Sequence, residues 1–462
     1  MAVFVEPGNL SWECIQGVRY GFEGRNGKNR HYLVGDKHST AAQVTVKRPK
    51  QQSSNVKVQL SHYPEHMYHS FMIPRTLEPK LKELATQYPV VTVTGPRQSG
   101  KTTLCRTAFP VKPYVNLERP DIREFASSDA RGFLASYADG AILDEIQRVP
   151  QLLSYLQVMV DERNETGLFI LTGSQQFEVM THITQSLAGR TALLKLLPLS
   201  IEELAAANLS TGTDSMLLTG FYPRIYDAQL NPTQALGDYL ETYVERDIRQ
   251  LIAIKDLTLF ERFIRLCAGR VGQLLNLQSL GNDVGISHTT ARSWLTLLEA
   301  SYVIFQLPPW HTNISKRQIK TSKLYFYDVG LASYLLGIEQ KSHVNRHPLR
   351  GNLFENMVIL EVLKHRYHRG KRSNLYFWRD AKGNEVDLLM ENGPDIAAVE
   401  IKSGATVSSD YLKGLRTFSA HLSSHSCQCA LVYDGDERQH RSDVNIWRTK
   451  DIGEMMRATA LT

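Results

Sequence analysis

Gly95-Pro96-Arg97-Gln98-Ser99-Gly100-Lys101-Thr102 is the stretch on which the reading of this 462-residue chain turns. An apolar run, Val90–Thr94, precedes it, and Thr103–Thr107, which reads as helix, follows. The eight positions satisfy G-x-x-x-x-G-K-[ST], a pattern with physical meaning only between a buried strand and a helix. Glycines allow backbone N–H groups to curl round phosphate oxygens at the helix N-terminus. Gly95, Pro96, Arg97, Gln98, Ser99 and Gly100 would form that cradle, with Thr103 in the first helical turn. Lys101 would reach the β- and γ-phosphates, and the Thr102 hydroxyl would ligate Mg2+. The expected cofactors are therefore ATP and Mg2+.

A second element agrees with the first. Ala141-Ile142-Leu143-Asp144-Glu145 is an apolar strand ending in two carboxylates, with Asp144 43 residues past Lys101. Asp144 suits the metal shell, and Glu145 could orient or activate the attacking water. An Asp-Glu pair favours hydrolysis over passive nucleotide binding. Downstream, Leu168–Leu171 runs into Thr172-Gly173-Ser174-Gln175. There Ser174 either contacts the γ-phosphate or the water, or simply shapes a turn. Arg190, in Ser186-Leu187-Ala188-Gly189-Arg190, and Arg224, in Tyr222-Pro223-Arg224, are candidate charge stabilisers, one of them acting from a neighbouring subunit. Both are equally readable as salt-bridged surface arginines.

Working outward, the strands Val90–Thr94, Tyr114–Asn116, Gly140–Asp144 and Leu168–Thr172 alternate with helical stretches, the first marked by Leu77, Leu81 and Leu84. That alternation predicts an α/β domain with a parallel sheet and crossover helices. Hydrophobic residues at 42% and charged residues at 22% exclude a wholly disordered chain or a fibrous repeat. No run of 18 uncharged apolar residues occurs, so no membrane span is expected. The N-terminus shows no secretory pattern, and five cysteines at unrelated spacings fit a reducing cytosol. The expected location is cytoplasmic.

The net charge of +6 is unevenly held. Residues 1–71 contain nine Lys/Arg and five Asp/Glu, leaving only +2 for the rest. Overall basicity is therefore no argument for nucleic acid. The same 71 residues carry turn signals (Pro7-Gly8, Gly24, Asn26-Gly27), a polar tract over Lys47–Asn55 and no sustained period. They read as a disordered extension or as a start assigned too far upstream, with Met67 or Met72 as the true one.

Leu277–Leu298 predicts a helix-turn-helix. One short helix ends at Asp283–Gly285, Ser287 N-caps the next, and Tyr302–Leu307 would begin a wing. His288, Thr289 and Arg292 would face a nucleic acid from the second helix. A unit that packs on the rest of the chain or on a partner is the competing reading, since only Arg292 is a permanent cation.

Near the C-terminus, Glu385-Val386-Asp387 and Glu400-Ile401-Lys402 lie on neighbouring strands of a hairpin turned at Glu391–Pro394. Residues two apart share a strand face, so Glu400 and Lys402 point together. Asp387, Glu400 and Lys402, with Glu355 from the preceding helix (Asn352–Lys364), predict a Mg2+ site that activates water against a phosphodiester. Cys427 and Cys429 with His425 read as the start of a strand rather than as metal ligands.

Taken together these blocks resemble the prokaryotic AAA-type P-loop ATPases that carry a C-terminal PD-(D/E)XK nuclease-like domain. The likeness rests on Val93–Leu104, Leu143-Asp144-Glu145-Ile146-Gln147, Leu171–Ser174 and Ser186–Arg190. It continues through Tyr243–Ile248, Lys323–Leu331 and Gly351–Asn356 to Glu385–Asp387 and Glu400–Lys402. The resemblance spans Met72 to Tyr433 and implies ATP binding and nuclease ancestry. The expected architecture is an extension (1–71), a P-loop ATPase domain (72–234), a helical, winged-helix-like domain (235–340) and a restriction-endonuclease-like α/β domain (341–462). Two functions stand side by side. One is an ATP-gated nucleic-acid enzyme cutting DNA or RNA through Asp387, Glu400 and Lys402. The other is a nucleotide-switched regulatory module with an inactive nuclease fold, a protein partner and a homo-oligomeric state.

Overall fold

The computed structural model describes residues 19–26, 29–36, 39–47, 58–61, 73–174, 186–244, 256–311, 321–422 and 426–459. The chain divides into two compact units, Met1–Met72 and Ile73–Thr462. In the first, β1 (Arg19–Asn26), β2 (Asn29–Asp36), β3 (Ser39–Lys47) and β4 (Val58–Ser61) form an antiparallel sheet in chain order. This differs from the expected extension without a strand period. The overlooked signal is a short alternation, Val44 and Val46 against Leu60 and Val58, which are register partners across β3 and β4.

The second unit opens with the helix Glu78–Ala85 and then β5 (Val90–Thr94), β6 (Tyr114–Asn116), β7 (Ala141–Asp144), β8 (Phe169–Gly173) and β9 (Thr191–Lys195). The sheet order is β6-β7-β8-β5-β9, and every pairing is parallel. β5 is buried along its whole length, as its unbroken apolar run requires when helices cover both faces. One face packs Leu143, Leu171, Leu153 and Phe133; the other packs Val91, Val93, Ile170 and Leu104. Parallel strands share one C-terminal edge, so Gly95, Asp144 and Thr172 emerge on the same side.

A helical stretch follows, including Leu257–Ala268, Leu277–Val284 and His288–Ala300. Gly285, in the left-handed region at φ 92°, ends the second of these, and the Ser287 hydroxyl accepts from Thr290 N–H to start the third. Both ends fall where the sequence placed them. β10 (Ile304–Leu307) and β11 (Lys323–Phe326) pair antiparallel behind them.

The C-terminal part holds a separate mixed sheet: β12 (Leu375–Arg379), β13 (Glu385–Asn392), β14 (Asp395–Lys402), β15 (Ser426–Tyr433), β16 (Gln439–His440) and β17 (Asn445–Arg448). Its order is β12-β13-β14-β15-β17-β16. β12, β13 and β14 run antiparallel, whereas β14, β15 and β17 run parallel. The helix Arg350–His368 precedes it and is buried from Leu353 to Tyr367 on nearly every side, Glu355 being one of the few positions less than fully enclosed. One continuous apolar core joins Phe221, Phe263, Leu298 and Tyr325 to Phe354, Val358 and the β13–β14 residues Met390 and Val399. Parts of the three segments expected as domains thus meet in one core, while the P-loop sheet packs two further apolar clusters and the C-terminal sheet another. Among the described residues no helix is long and apolar enough to cross a membrane.

Candidate nucleotide site and a carboxylate-lysine cluster

The phosphate loop leaves β5 at Gly95, whose φ of 152° and position suit only glycine: an added Cβ would lie 2.0 Å from the Leu196 carbonyl oxygen. Gln98 (φ 59°) and Gly100 (φ 89°) complete the curl, and the helix Lys101–Ala108 begins there. Lys101 is 5% exposed, and its ammonium donates to the carbonyls of Gly95 (3.0 Å) and Pro96 (2.8 Å). Burial lowers its pKa, with Glu145 and Asp144 opposing that shift. Ser99 Oγ is fully buried and has no hydrogen-bond partner, an orphaned group that a phosphate oxygen would satisfy. Thr103 is exposed in the first helical turn, and Arg97 lies 3.8 Å from Glu118.

β8 separates β5 from β7, so Asp144 meets the loop across an intervening strand. Thr102 Oγ1 donates to Asp144 at 3.1 Å, Tyr114 OH donates to it at 2.7 Å, and Thr172 on β8 donates to it as well. Burial and the Asp144 carboxylate together raise the Tyr114 pKa far above its ordinary value. A hydroxyl beside a carboxylate at the mouth of the loop is a donor set suited to Mg2+ brought in with a nucleotide.

Glu145 sits in the left-handed region at φ 58°, a conformation that costs a non-glycine residue energy and recurs at functional sites. Its Oε2 accepts from Ser174 Oγ at 3.1 Å and from Gln147 Nε2, while its N–H donates to Thr172. Ser174 therefore positions the Glu145 carboxylate. Gln175 lies outside the described residues.

The two arginines separate. Arg190 precedes β9, level with Val90 at the N-terminal end of β5, and grips Asp161 at 2.5 and 2.8 Å. It sits at the sheet edge opposite the phosphate loop, apart from the other residues expected as nucleotide contacts. Arg224 begins near the loop: Pro223 Cγ lies 3.9 Å from where a Gly100 Cβ would be. Arg224 is exposed and makes no ion pair among the described residues.

One residue absent from the sequence reading supports the loop from beneath. Arg75, 8% exposed, donates to Ser99 O (2.5 Å) and Leu197 O (2.7 Å) and pairs with Glu203 at 3.1 Å. Burial alone would raise the Glu203 carboxyl. Arg75, with His368 and the N–H groups of Thr76 and Ser200, outweighs it and holds the pKa at about 2. Burial also lowers His368 to about 4, so at neutral pH Arg75 is the cation that does this. No local pattern announces Arg75, because its partners lie 24 to 128 residues away along the chain.

The second cluster assembles differently from its expectation. Lys402 bonds Glu400 Oε1 (2.5 Å) and Asp387 Oδ2 (3.3 Å), so those three converge as strand parity predicted. A bulge contributes: between Tyr376 and Trp378 the partners step from Leu389 to Val386, adding a residue to β13 beside Asp387. Asp387 Oδ2 also accepts from Ile401 N at 2.8 Å, where the β13–β14 ladder has ended. Glu355, however, is taken by Lys323 (2.9 Å) and Tyr325, and Lys323 also holds Glu385 at 2.5 Å. Among the described residues no three His, Cys, Asp or Glu side chains come together as a metal site. The expected ion held by Glu355, Asp387 and Glu400 does not fit this arrangement, because lysine ammonium groups occupy the space between the carboxylates. Cys427 and Cys429 lie on β15 with sulfurs 3.8 Å apart, and His425 is outside the described residues.

Burial and the nearby Asp387 raise Glu355 to about 7 and Glu400 to about 8, against the opposing pull of Lys323 and Lys402. The folded chain then keeps protons that the unfolded chain releases near pH 4.5, so this contribution is full at low pH and is lost as pH rises towards 8. The urea midpoint of the full chain should fall between pH 5.5 and 8, and Glu400→Gln should flatten that fall. An unchanged slope in the variant would refute the assignment.

These features define a P-loop nucleotide-binding domain of AAA type, and residues 87–205 match the family described as AAA domain. Residues 210–342 and 350–452 match two further families, described as Domain of unknown function (DUF8612) and Domain of unknown function (DUF4143). Over 367 residues the chain is 31% identical to the uncharacterized protein Rv2008c of Mycobacterium tuberculosis and to Mb2031c of Mycobacterium bovis, covering 79% of this chain and 80% of each relative. The chain belongs to the family of these proteins. Among solved structures it is similar to the Walker-type ATPase PABY2304 of Pyrococcus abyssi at 17% identity and a TM-score of 0.39, covering 57% of this chain and 96% of that one. It is also similar to the signal-transduction ATPase PH0952 of Pyrococcus horikoshii at 13% identity and a TM-score of 0.20, covering 66% and 48%. Neither structural likeness carries weight at those scores.

Proposed function

We propose that this chain is a Mg2+-dependent ATP hydrolase whose nucleotide state is read by its helical and C-terminal parts. The observation that carries this is the convergence, at one strand edge, of the phosphate loop, the Thr102–Asp144 pair and a Glu145 carboxylate held by Ser174 and Gln147. Bound Mg2+ would neutralise charge building on the phosphates. Lys101 would give up the Gly95 and Pro96 carbonyls for phosphate oxygens, and Glu145 would take the proton of the attacking water. Arg224, whose neighbour Pro223 lies beside Gly100, would answer charge from the same chain. Arg190, on the far edge, suits a role across a subunit boundary in a homo-oligomer, as an arginine finger.

A second reading concerns partners. Thr289 and Arg292 are exposed at the start of the helix His288–Ala300, which favours contact with DNA or RNA if the middle part is winged-helix-like. For the C-terminal part, a helix followed by three antiparallel strands and a parallel fourth supports a restriction-endonuclease-like topology. Lys323, holding Glu355 and Glu385 in this cluster, favours a docking role for a protein partner over cutting. Phosphate release from ATP by the full chain, with Mg2+ and with excess chelator, tests the main reading. Release that needs Mg2+ is expected, and none from a folded protein that binds no fluorescent nucleotide would reject it.

A further inference from the structure

Lys323 is 3% exposed and comes from β11, not from the C-terminal sheet whose carboxylates it meets. Its ammonium touches Glu355 on the helix Arg350–His368 and Glu385 on β13, and stands 5.5 Å from the Phe377 ring centroid. Lys402 serves the other half, on Glu400 and Asp387. Four carboxyl groups are thus met by two ammonium groups, with Arg379 reaching Glu385 from outside at 3.4 Å. Burying an ammonium is costly unless carboxylates surround it, and burying carboxylates is costly without a cation, so each half requires the other. Mg2+ would demand several oxygens at about 2.0–2.1 Å in octahedral array. Here the Lys323 ammonium holds Glu355 and Glu385, and Lys402 holds Glu400 and Asp387.

We propose that Lys323 supplies the cation of this cluster in place of a divalent metal ion, so that the carboxylates clamp the β10–β11 pair onto the C-terminal sheet. Glu400 Oε2 is buried with no hydrogen-bond partner, an oxygen of the cluster that neither lysine satisfies. The inference does not depend on the ATPase reading, because no nucleotide takes part in its test.

The test is Mn2+ binding to the full chain without nucleotide, followed by loss of the free-ion electron paramagnetic resonance signal. Wild type should show no ion that Asp387→Asn removes. Lys323→Met should gain one, bound at least about a hundredfold more tightly than any wild-type binding at the cluster, and Asp387→Asn on that background should abolish it. A wild-type ion lost in Asp387→Asn would overturn the proposal, and so would a folded Lys323→Met protein that gains none. If Lys323→Met does not fold, Lys323→Gln, which keeps a donor for Glu355 without the charge, takes its place. The wild-type comparison stands in either case.

Discussion

Replacing Glu145 with Gln should slow phosphate release from ATP by roughly 10²–10⁴-fold while leaving nucleotide binding intact. The substitution keeps the shape of the side chain and removes its ability to take a proton. The amide oxygen can still accept from Ser174 Oγ and Gln147 Nε2, so the side chain stays where those residues hold it. Nothing in the phosphate loop itself is altered, since Lys101, Thr102 and Asp144 keep their own bonds. Single-turnover release and fluorescent-nucleotide titration on the same preparation separate the two quantities. A variant that hydrolyses at the wild-type rate would remove Glu145 from the mechanism. One that fails to bind would instead show that the strained backbone at φ 58° depends on the carboxylate.

Arg75→Met should cost about 3–5 kcal/mol of folding stability, the range for removing one partner of a buried ion pair. Glu203 would keep its backbone donors from Thr76 and Ser200 but lose its permanent cation. His368 cannot substitute at neutral pH, because burial holds it at about 4. The carbonyls of Ser99 and Leu197 would lose their donor as well. The Glu203 contribution to stability is present above about pH 4.5 and is lost as pH falls towards 2, and without Arg75 that acid limb should move upward. Adding Glu203→Gln should restore part of the loss, since the uncompensated charge is then gone. Denaturant unfolding of the two single variants and the double variant measures all of this. A loss below about 1 kcal/mol, the scale of an exposed pair, would contradict the burial argument.

What the sequence made legible was local. The strand, loop and helix around Gly95–Thr102 and the apolar strand ending at Asp144 each carry their pattern within about ten residues. The helices meeting at Gly285 and Ser287 were bounded correctly because caps are adjacent to what they cap. What stayed hidden depends on distant pairing. Arg75 and Lys323 act on residues more than twenty positions away; nothing near Arg75 marks it, and the block Lys323–Leu331 does not say where its lysine reaches. A motif does not say at which end of a strand Arg190 will emerge, whereas the parallel register with Val90 puts it away from the loop. Asp387, Glu400 and Lys402 were brought together as expected. The ion meant to join them with Glu355 was not supported, since strand parity cannot foresee a lysine arriving from β11.

The helix Arg350–His368 runs about 28 Å, at 1.5 Å per residue. Near one end Glu355 enters the carboxylate cluster. Towards the other, Glu361 accepts from Ile201 N, Lys364 donates to Leu199 O, and His368 stands 3.8 Å from Glu203. It therefore behaves as an axle shared by two machines rather than as a spacer between them. A chain cut anywhere near residue 340 would leave Leu199, Ile201 and Phe221 without the surface that covers them. The pieces that look separable along the sequence are tied together by this one helix.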